Sequence, residues 1–296
     1  MKKLHLAVGI ASAGRRDLLS ATIKFLEAQT RLPDELIVCP ADESDIDLGI
    51  LQGLSFKTSV VNSPPGTTIQ RNAIFSRAAT SDIIVFFDDD FLPHPTFLAE
   101  MEKLFLTMDD VVAATGKVLA DGILGPGISF EQGLVILSQT PSIPAPPCII
   151  DVYNTYGCNM TFRLSTIYEH ALRFDEALPL YGWLEDVDFS RRLAPFGRII
   201  QSNQLMGVHL GTKQGRSPGV RLGYSQIANP IYMARSKSVS WWPAMRQMSR
   251  NVAINVARSI QPEPWVDRRG RLKGNVIALY DLLLRRLSPK RILEFG

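Results

Sequence analysis

Two acidic knots, Asp88-Asp89-Asp90 and Glu185-Asp186-Val187-Asp188, are the residues of this 296-residue chain best suited to chemistry. The first follows directly on Ile83-Ile84-Val85-Phe86-Phe87, a run of the kind buried on both faces in the middle of a parallel sheet. Carboxylates packed this tightly repel one another, so their placement at the end of a core strand costs free energy. A divalent cation is the usual compensation, because oxygen-rich sites suit Mg²⁺ or Mn²⁺. Ligand sites of open α/β sheets also lie at the carboxyl ends of strands. The alternative is a solvated acidic turn, with Asp89 or Asp90 capping a helix that follows Phe91-Leu92-Pro93. The second knot opens a helix, and the macrodipole alone favours one or two acidic residues there. Capping does not explain its approach, Tyr181-Gly182-Trp183-Leu184. A carboxylate beside Trp183 is partly desolvated, which raises its pKa toward that of a working general base.

The elements that must position these groups follow from hydrophobic periodicity. Strands are expected over 4–10, 36–39, 57–61 and 83–87, with helices over 17–29 and 66–79. Ala11-Ser12-Ala13-Gly14 forms the loop at the carboxyl end of the first strand. A helix over 95–106 and a strand over 111–118 follow, then a proline-rich loop over 138–147. Strands over 158–163 and 206–209 enclose a helix over 186–193. This alternation predicts an α/β domain over residues 1–210, with a mainly parallel central sheet flanked by helices. Residues 211–296 read as a helical extension with apolar-periodic segments over 220–234, 241–260 and 276–287. In the second segment Trp241, Met245, Met248, Val252 and Val256 share a face; in the third, Val276, Tyr280, Leu283 and Leu287 do.

At 46% hydrophobic and 21% charged residues, the chain has the balance of a globular protein with a sizeable core. Cys39, Cys148 and Cys158 share no CxxC spacing, which argues against a disulfide framework or zinc site and for a reducing, cytoplasmic compartment. The apolar stretch after the first five residues is too short for a signal peptide. No run approaches the roughly 18 apolar residues of a spanning helix. The net charge of +3 conceals an asymmetry: residues 211–296 carry 16 Lys/Arg against 4 Asp/Glu, and residues 1–210 carry 16 against 25. A basic tail on an acidic body seeks an anionic surface. Trp241-Trp242 on a basic amphipathic segment fits a helix lying in a membrane interface. The other reading packs these helices on the body with their arginines solvated. No recognised nucleic-acid motif accompanies the basic residues, so nucleic acid is not an expected partner.

One ordered set of motifs carries a family resemblance. Ala7-Val8-Gly9-Ile10 with Arg15 is followed by Gln70-Arg71-Asn72-Ala73, Phe87-Asp88-Asp89-Asp90 and Gly157-Cys158-Asn159-Met160 with Arg163. Phe174-Asp175-Glu176, Gly182-Trp183-Leu184-Glu185-Asp186-Val187-Asp188 and His209 complete the order. Over residues 1 to about 210 this resembles the family 2 glycosyltransferases, inverting enzymes of the GT-A fold. The resemblance implies that Asp88, Asp89 and Asp90 form the DxD-type site for donor ribose and a divalent metal, Mn²⁺ or Mg²⁺, with Asp90 and His209 toward the metal. It implies Asp186 as catalytic base, with Glu185 and Trp183 on the acceptor side. It also places Ser12 and Arg71 against the nucleotide, and Asn159 and Arg163 toward the acceptor pocket or in the scaffold. Where the family pairs aspartates after the second strand, this chain has Pro40-Ala41-Asp42, leaving Asp42 as the base-reading candidate.

The implied reaction moves a sugar from a nucleotide-sugar donor to a glycan or lipid-linked acceptor, on the cytoplasmic face of a membrane with anionic lipid. A sugar-phosphate nucleotidyltransferase is the competing enzymatic reading. It expects a glycine-rich basic loop after the first strand, and Ser12-Ala13-Gly14-Arg15-Arg16 is a thin version of one. An inactive membrane-bound scaffold of the same fold is the non-enzymatic reading.

Overall fold

A computed structural model describes residues 3–141, 146–215 and 217–295. The chain order is β1 (Leu6–Ser12), α1 (Arg16–Phe25), β2 (Glu35–Pro40), β3 (Lys57–Val60), α2 (Thr67–Arg77), β4 (Ile83–Asp88), β5 (Phe91–Pro93) and α3 (Phe97–Thr107). It continues with β6 (Val111–Asp121), α4 (Phe130–Ser138), β7 (Ile149–Asp151), β8 (Asn159–Arg163), α5 (Leu164–Glu169), α6 (Glu185–Leu193) and β9 (Arg198–His209). Three helices close it: α7 (Gly219–Arg235), α8 (Trp241–Ser259) and α9 (Arg268–Leu283).

The strands join one sheet in the order β3-β2-β1-β4-β8-β6-β9-β5, with β7 paired to β9. The first four strands are mutually parallel and β6 is parallel to β9, while β5, β7 and β8 run the other way. The chain leaves β1 toward β2 and β3, then returns to pair β4 on the other side of β1. Such a switch point opens a crevice at the carboxyl strand ends. Here it lies where Ala11 of β1 pairs with Asp88 of β4.

β4 is buried on both faces, as its composition requires. Ile83, Val85 and Phe87 enter one core cluster, and Ile84 and Phe86 the other. Gly9 of β1 brings α2 close: a Cβ there would lie 2.7 Å from Ile74 Cγ2 and 3.0 Å from the Phe86 ring. Arg71 stands on α2 one turn before Ile74, at the carboxyl end of the sheet.

β5 lies where a helix approach was expected, and Phe91 pairs with His209. The expected short strand at 206–209 is the end of a twelve-residue strand, β9. α4, β7 and α5 have no counterpart among the expected elements. Of the proline-rich loop, Ser138 closes α4 and residues 142–145 lie outside the described residues.

The extension is a three-helix unit. Asn255 of α8 donates to Gln226 of α7 at 2.7 Å, so α8 returns antiparallel to α7. Gly219 faces Asp267 and Gly223 faces Arg271, so α9 runs parallel to α7. A Cβ on Gly223 would sit 2.0 Å from the Arg271 carbonyl oxygen; these glycines let the two backbones meet. Because glycine, Asn275, Ala278 and Asp281 form the buried side of α9, its apolar stripe faces outward. Among the described residues, no helix is long and apolar enough to cross a membrane.

Candidate functional site

The first acidic knot divides its side chains between two tasks. Asp89 turns inward: Ser12 Oγ donates to it at 2.6 Å and Arg15 Nη1 at 2.7 Å. Burial lifts its pKa to about 7 against the pull of Arg15. Asp88 and Asp90 converge with His209, and one ligand atom from each lies within 4.8 Å of the others. The sheet brings them together. β5 turns back along β9, so the Leu210 N–H donates to the Asp90 carbonyl at 2.9 Å. The Thr212 N–H donates to Asp90 Oδ2 at 2.9 Å. The solvated-turn alternative does not describe these residues: Asp89 and Asp90 are 3% and 2% exposed, and α3 begins at Phe97 behind Thr96.

A divalent ion fits this cluster. Asp90 Oδ1 is buried without a hydrogen-bond partner, and His209 Nε2 stands 3.5 Å from it. Two carboxylates and one imidazole are a donor set for a metal of the Mn²⁺ or Mg²⁺ kind. Asp121, at the end of β6, fixes the imidazole from behind. His209 Nδ1 meets Asp121 Oδ1 at 2.9 Å, and Tyr156 donates to Asp121 Oδ2 at 2.8 Å. A ring held through Nδ1–H directs Nε2 at the cluster, where a metal would displace its proton to take it as a ligand. Burial lowers the His209 pKa, but Asp121 and Asp90 outweigh it and bring it to about 10. Asp121 reaches His209 because Gly122 lets β6 close on β9; a Cβ there would lie 2.0 Å from the Leu210 carbonyl oxygen.

The second knot reaches the same cleft through Arg71 and Gly157. Arg71 is 3% exposed. Its Nη1 donates to Glu185 Oε1, and its Nη2 donates to Asp88 Oδ1 and the Gly157 carbonyl, both at 3.1 Å. The Gly157 N–H in turn donates to Asp186 Oδ2 at 3.1 Å. One guanidinium and one peptide thus tie Asp88 to Asp186. The turn before α6 is strained: Leu180 and Leu184 hold φ of 57° and 73°, with Gly182 at 61° between them. Left-handed backbone at non-glycine residues costs about 1–3 kcal/mol and collects at functional sites. Burial raises the pKa of Asp186, the Asp88 charge raises it further, and the N–H groups of Val187 and Gly157 oppose the rise. Burial likewise raises Glu185 against Arg71.

The remaining candidates make other contacts. Asp42 is exposed and caps a short turn by accepting from Ser44 N at 2.9 Å. Asp45 is instead the buried carboxylate facing the first loop, and it accepts from Gly14 N at 2.7 Å. Trp183 is half-buried, and its carbonyl accepts from Asn229 of α7 at 2.7 Å. Asn159 is fully buried between strands, where its Oδ1 accepts from Gly116 N at 2.9 Å. Arg163 bonds the carbonyls of Phe105, Met108 and Val111 at 3.0–3.1 Å, at the amino end of β4. That clamps the scaffold, the second of the two roles expected for Arg163. Asp121 is a residue of this cluster that the sequence did not single out, while Arg15 and Gly157, which entered only within motifs, make direct contacts here.

The family model described as glycosyl transferase family 2 matches residues 7–122. No curated protein matches the chain. Among solved structures, residues 1–349 of S. aureus TarS in complex with UDP-GlcNAc match with TM-score 0.56 at 13% identity, over 98% of this chain and 83% of that one. The mannosyltransferase PcManGT from Pyrobaculum calidifontis, in complex with GDP-Man and Mn²⁺, matches with TM-score 0.54 at 14% identity, over 99% and 86%. GalNAc-T7 with UDP, GalNAc and Mn²⁺ matches with TM-score 0.58 at 13% identity, over 99% and 59%. The chain spans 40% of a longer TarS structure. At these identities the likeness is one of fold.

Proposed function

We propose that the chain is a family 2 glycosyltransferase of the GT-A fold, and specifically an inverting, metal-dependent hexosyltransferase acting on a nucleotide-sugar donor. Its acceptor is a glycan or a lipid-linked sugar at an anionic membrane surface on the cytoplasmic side. Residues 1–210 form the catalytic domain and residues 211–296 the membrane-associated extension. The observation that carries the proposal is the convergence of both acidic knots on one cleft through Arg71 and Gly157.

Asp88, Asp90 and His209 would hold the ion, which would supply Lewis-acid stabilisation of the leaving diphosphate's charge. Asp186 accepts the proton of the acceptor hydroxyl as that oxygen bonds to the anomeric carbon. The bond from that carbon to the diphosphate breaks on the opposite face, and its electron pair leaves with the nucleoside diphosphate. Arg71 fixes the spacing between the two carboxylate sites and keeps Glu185 from repelling Asp186. Ser12 and Asp89 lock each other and set the end of β1 beneath the donor, beside the loop that holds Asp42.

The test begins with thermal shifts against UDP-, GDP- and dTDP-sugars with Mn²⁺, because a donor that binds the native state raises apparent stability. Transfer from the stabilising donor is then followed by NMR of the product's anomeric centre. Inverted configuration supports the reading. Retained configuration rejects single displacement, and pyrophosphate release from a nucleoside triphosphate rejects glycosyl transfer.

A further inference from the structure

α8 and α9 each expose large apolar side chains along one helix face. Trp242, Val256 and Ile260 of the α8 segment are 79%, 52% and 85% exposed, and Val276, Tyr280 and Leu283 of α9 are 59%, 56% and 81% exposed. Their spacing puts each set on one helix face, opposite the side where Asn255 and Asn275 meet at 2.9 Å. A patch of large apolar side chains marks a contact surface. Its electrostatics choose the partner. Among the described residues from Gly219 onward, ten Lys/Arg are exposed against two acidic residues, Asp267 and Glu294. Because α8 runs against α7 and α9 runs with it, Trp241-Trp242 and Leu283-Leu284 lie toward one end of the unit. Arg235, Lys237, Arg285 and Arg286 are exposed at that same end. Beside it, Arg286, Ser288, Lys290, Arg291 and Glu294 line an open concavity of about 350 Å³.

We infer that the α8–α9 face docks on an anionic lipid bilayer, with tryptophan and leucine entering the acyl boundary and the concavity seating a phosphate headgroup. Tryptophan sits well at the headgroup level and arginine at anionic lipid. A polynucleotide would meet the basic residues but gain nothing from Ile260 and Leu283. The inference deepens the membrane part of the proposed function. It also gives the extension a purpose toward the cleft. α7 presents its other side to the base-bearing turn through Asn229–Trp183 and through Met233 and Ala234 packed with Leu184 and Val187. Docking therefore holds Asp186 at a fixed height above the lipid.

The test is vesicle co-sedimentation of the full chain, using phosphatidylcholine with and without phosphatidylglycerol. The protein should bind the anionic vesicles. Arg285→Glu and Lys290→Glu should each weaken binding at least fivefold, since each basic residue at such a surface is worth roughly that factor. Trp242→Glu with Leu283→Glu should abolish it. Because these positions are exposed, Tm and donor hydrolysis should stay unchanged, so loss of vesicle binding is separable from failure of the glycosyltransferase reading. Three results would overturn the inference: equal binding to neutral vesicles, preference for a DNA duplex, or a dimer in light scattering that the same substitutions dissolve.

Discussion

Arg71→Met tests the joint between the two acidic sites. The guanidinium is fully enclosed, lies 5.8 Å and 5.5 Å from the Phe86 and Phe174 ring centroids, and bonds Asp88, Glu185 and the Gly157 carbonyl. At an effective dielectric of about 20, a unit-charge pair 3.1 Å apart, the Arg71–Asp88 separation, attracts by about 5 kcal/mol before desolvation is subtracted. The Asp88 side chain is 35% open to solvent and that of Glu185 is 10% open, so most of the loss falls on Glu185. Removing one partner of a buried pair costs about 3–5 kcal/mol, because the other charge is left uncompensated. Methionine keeps the stem packed between the phenylalanines, which confines the effect to charge and hydrogen bonds. The expected loss in urea unfolding, measured in EDTA at neutral pH, is therefore about 3–5 kcal/mol. Adding Glu185→Leu should return most of it, since an apolar pair of similar volume is often neutral or stabilising. A loss under about 1 kcal/mol for the single variant, or no recovery in the double, would refute the view that Arg71 is what lets the carboxylates share one cleft.

Five further outcomes are expected. Asp186→Asn should lower turnover by roughly 10²–10⁴-fold, the range for a lost general base, with donor affinity by calorimetry largely kept. Asp121→Asn should weaken Mn²⁺ binding about 10–100-fold, the usual cost of losing the group that orients a ligating histidine; unchanged calorimetric affinity would remove Asp121 from that role. Because burial raises the Asp186 pKa, the acid limb of turnover should lie above the ordinary aspartate range and disappear in Asp186→Asn. The same shift makes the native state bind more protons than the unfolded chain between the normal and the raised pKa. Its contribution to stability therefore falls as pH rises through that window, opposite to a salt-bridged carboxylate, and Asp186→Asn should flatten that slope in urea titrations. Gly223→Ala should destabilise the extension by about 1–3 kcal/mol, the usual cost of overpacking, read as earlier α7–α9 amide exchange.

What could be read from the sequence is what local chemistry dictates. β4 follows from Ile83–Phe87 because a run that apolar has only one place to go, and the burial of α2 follows from its position between two such strands. The extension's three helices came from period alone, and only α9 begins earlier than its apolar pattern, because its first turns face α7 with glycine. Strand register escaped detection. Phe91–Pro93 is too short to read as a strand, yet its pairing with β9 carries Asp90 to His209. Asp121 is an unremarkable acidic residue in the sequence and enters the site only because it pairs with His209 across β6 and β9. Asp42 and Asp45 differ by three residues, and which one turned inward depended on a short helical turn no pattern announces.

The αL backbone at Leu184 explains why the second knot was visible while its geometry was not. Glu185, Asp186 and Asp188 crowd the first turn of α6, which the macrodipole tolerates. A leucine, not a glycine, precedes them at φ 73°. That conformation is held from outside, by Leu184 and Val187 packing with Met233, Ala234 and Val239. The extension therefore belongs to the candidate site mechanically: α7 packs on the strained turn that aims Asp186 at Gly157. A chain cut before α7 would free that turn to relax, so the basic tail and the acidic cleft, opposite in charge, form one working unit.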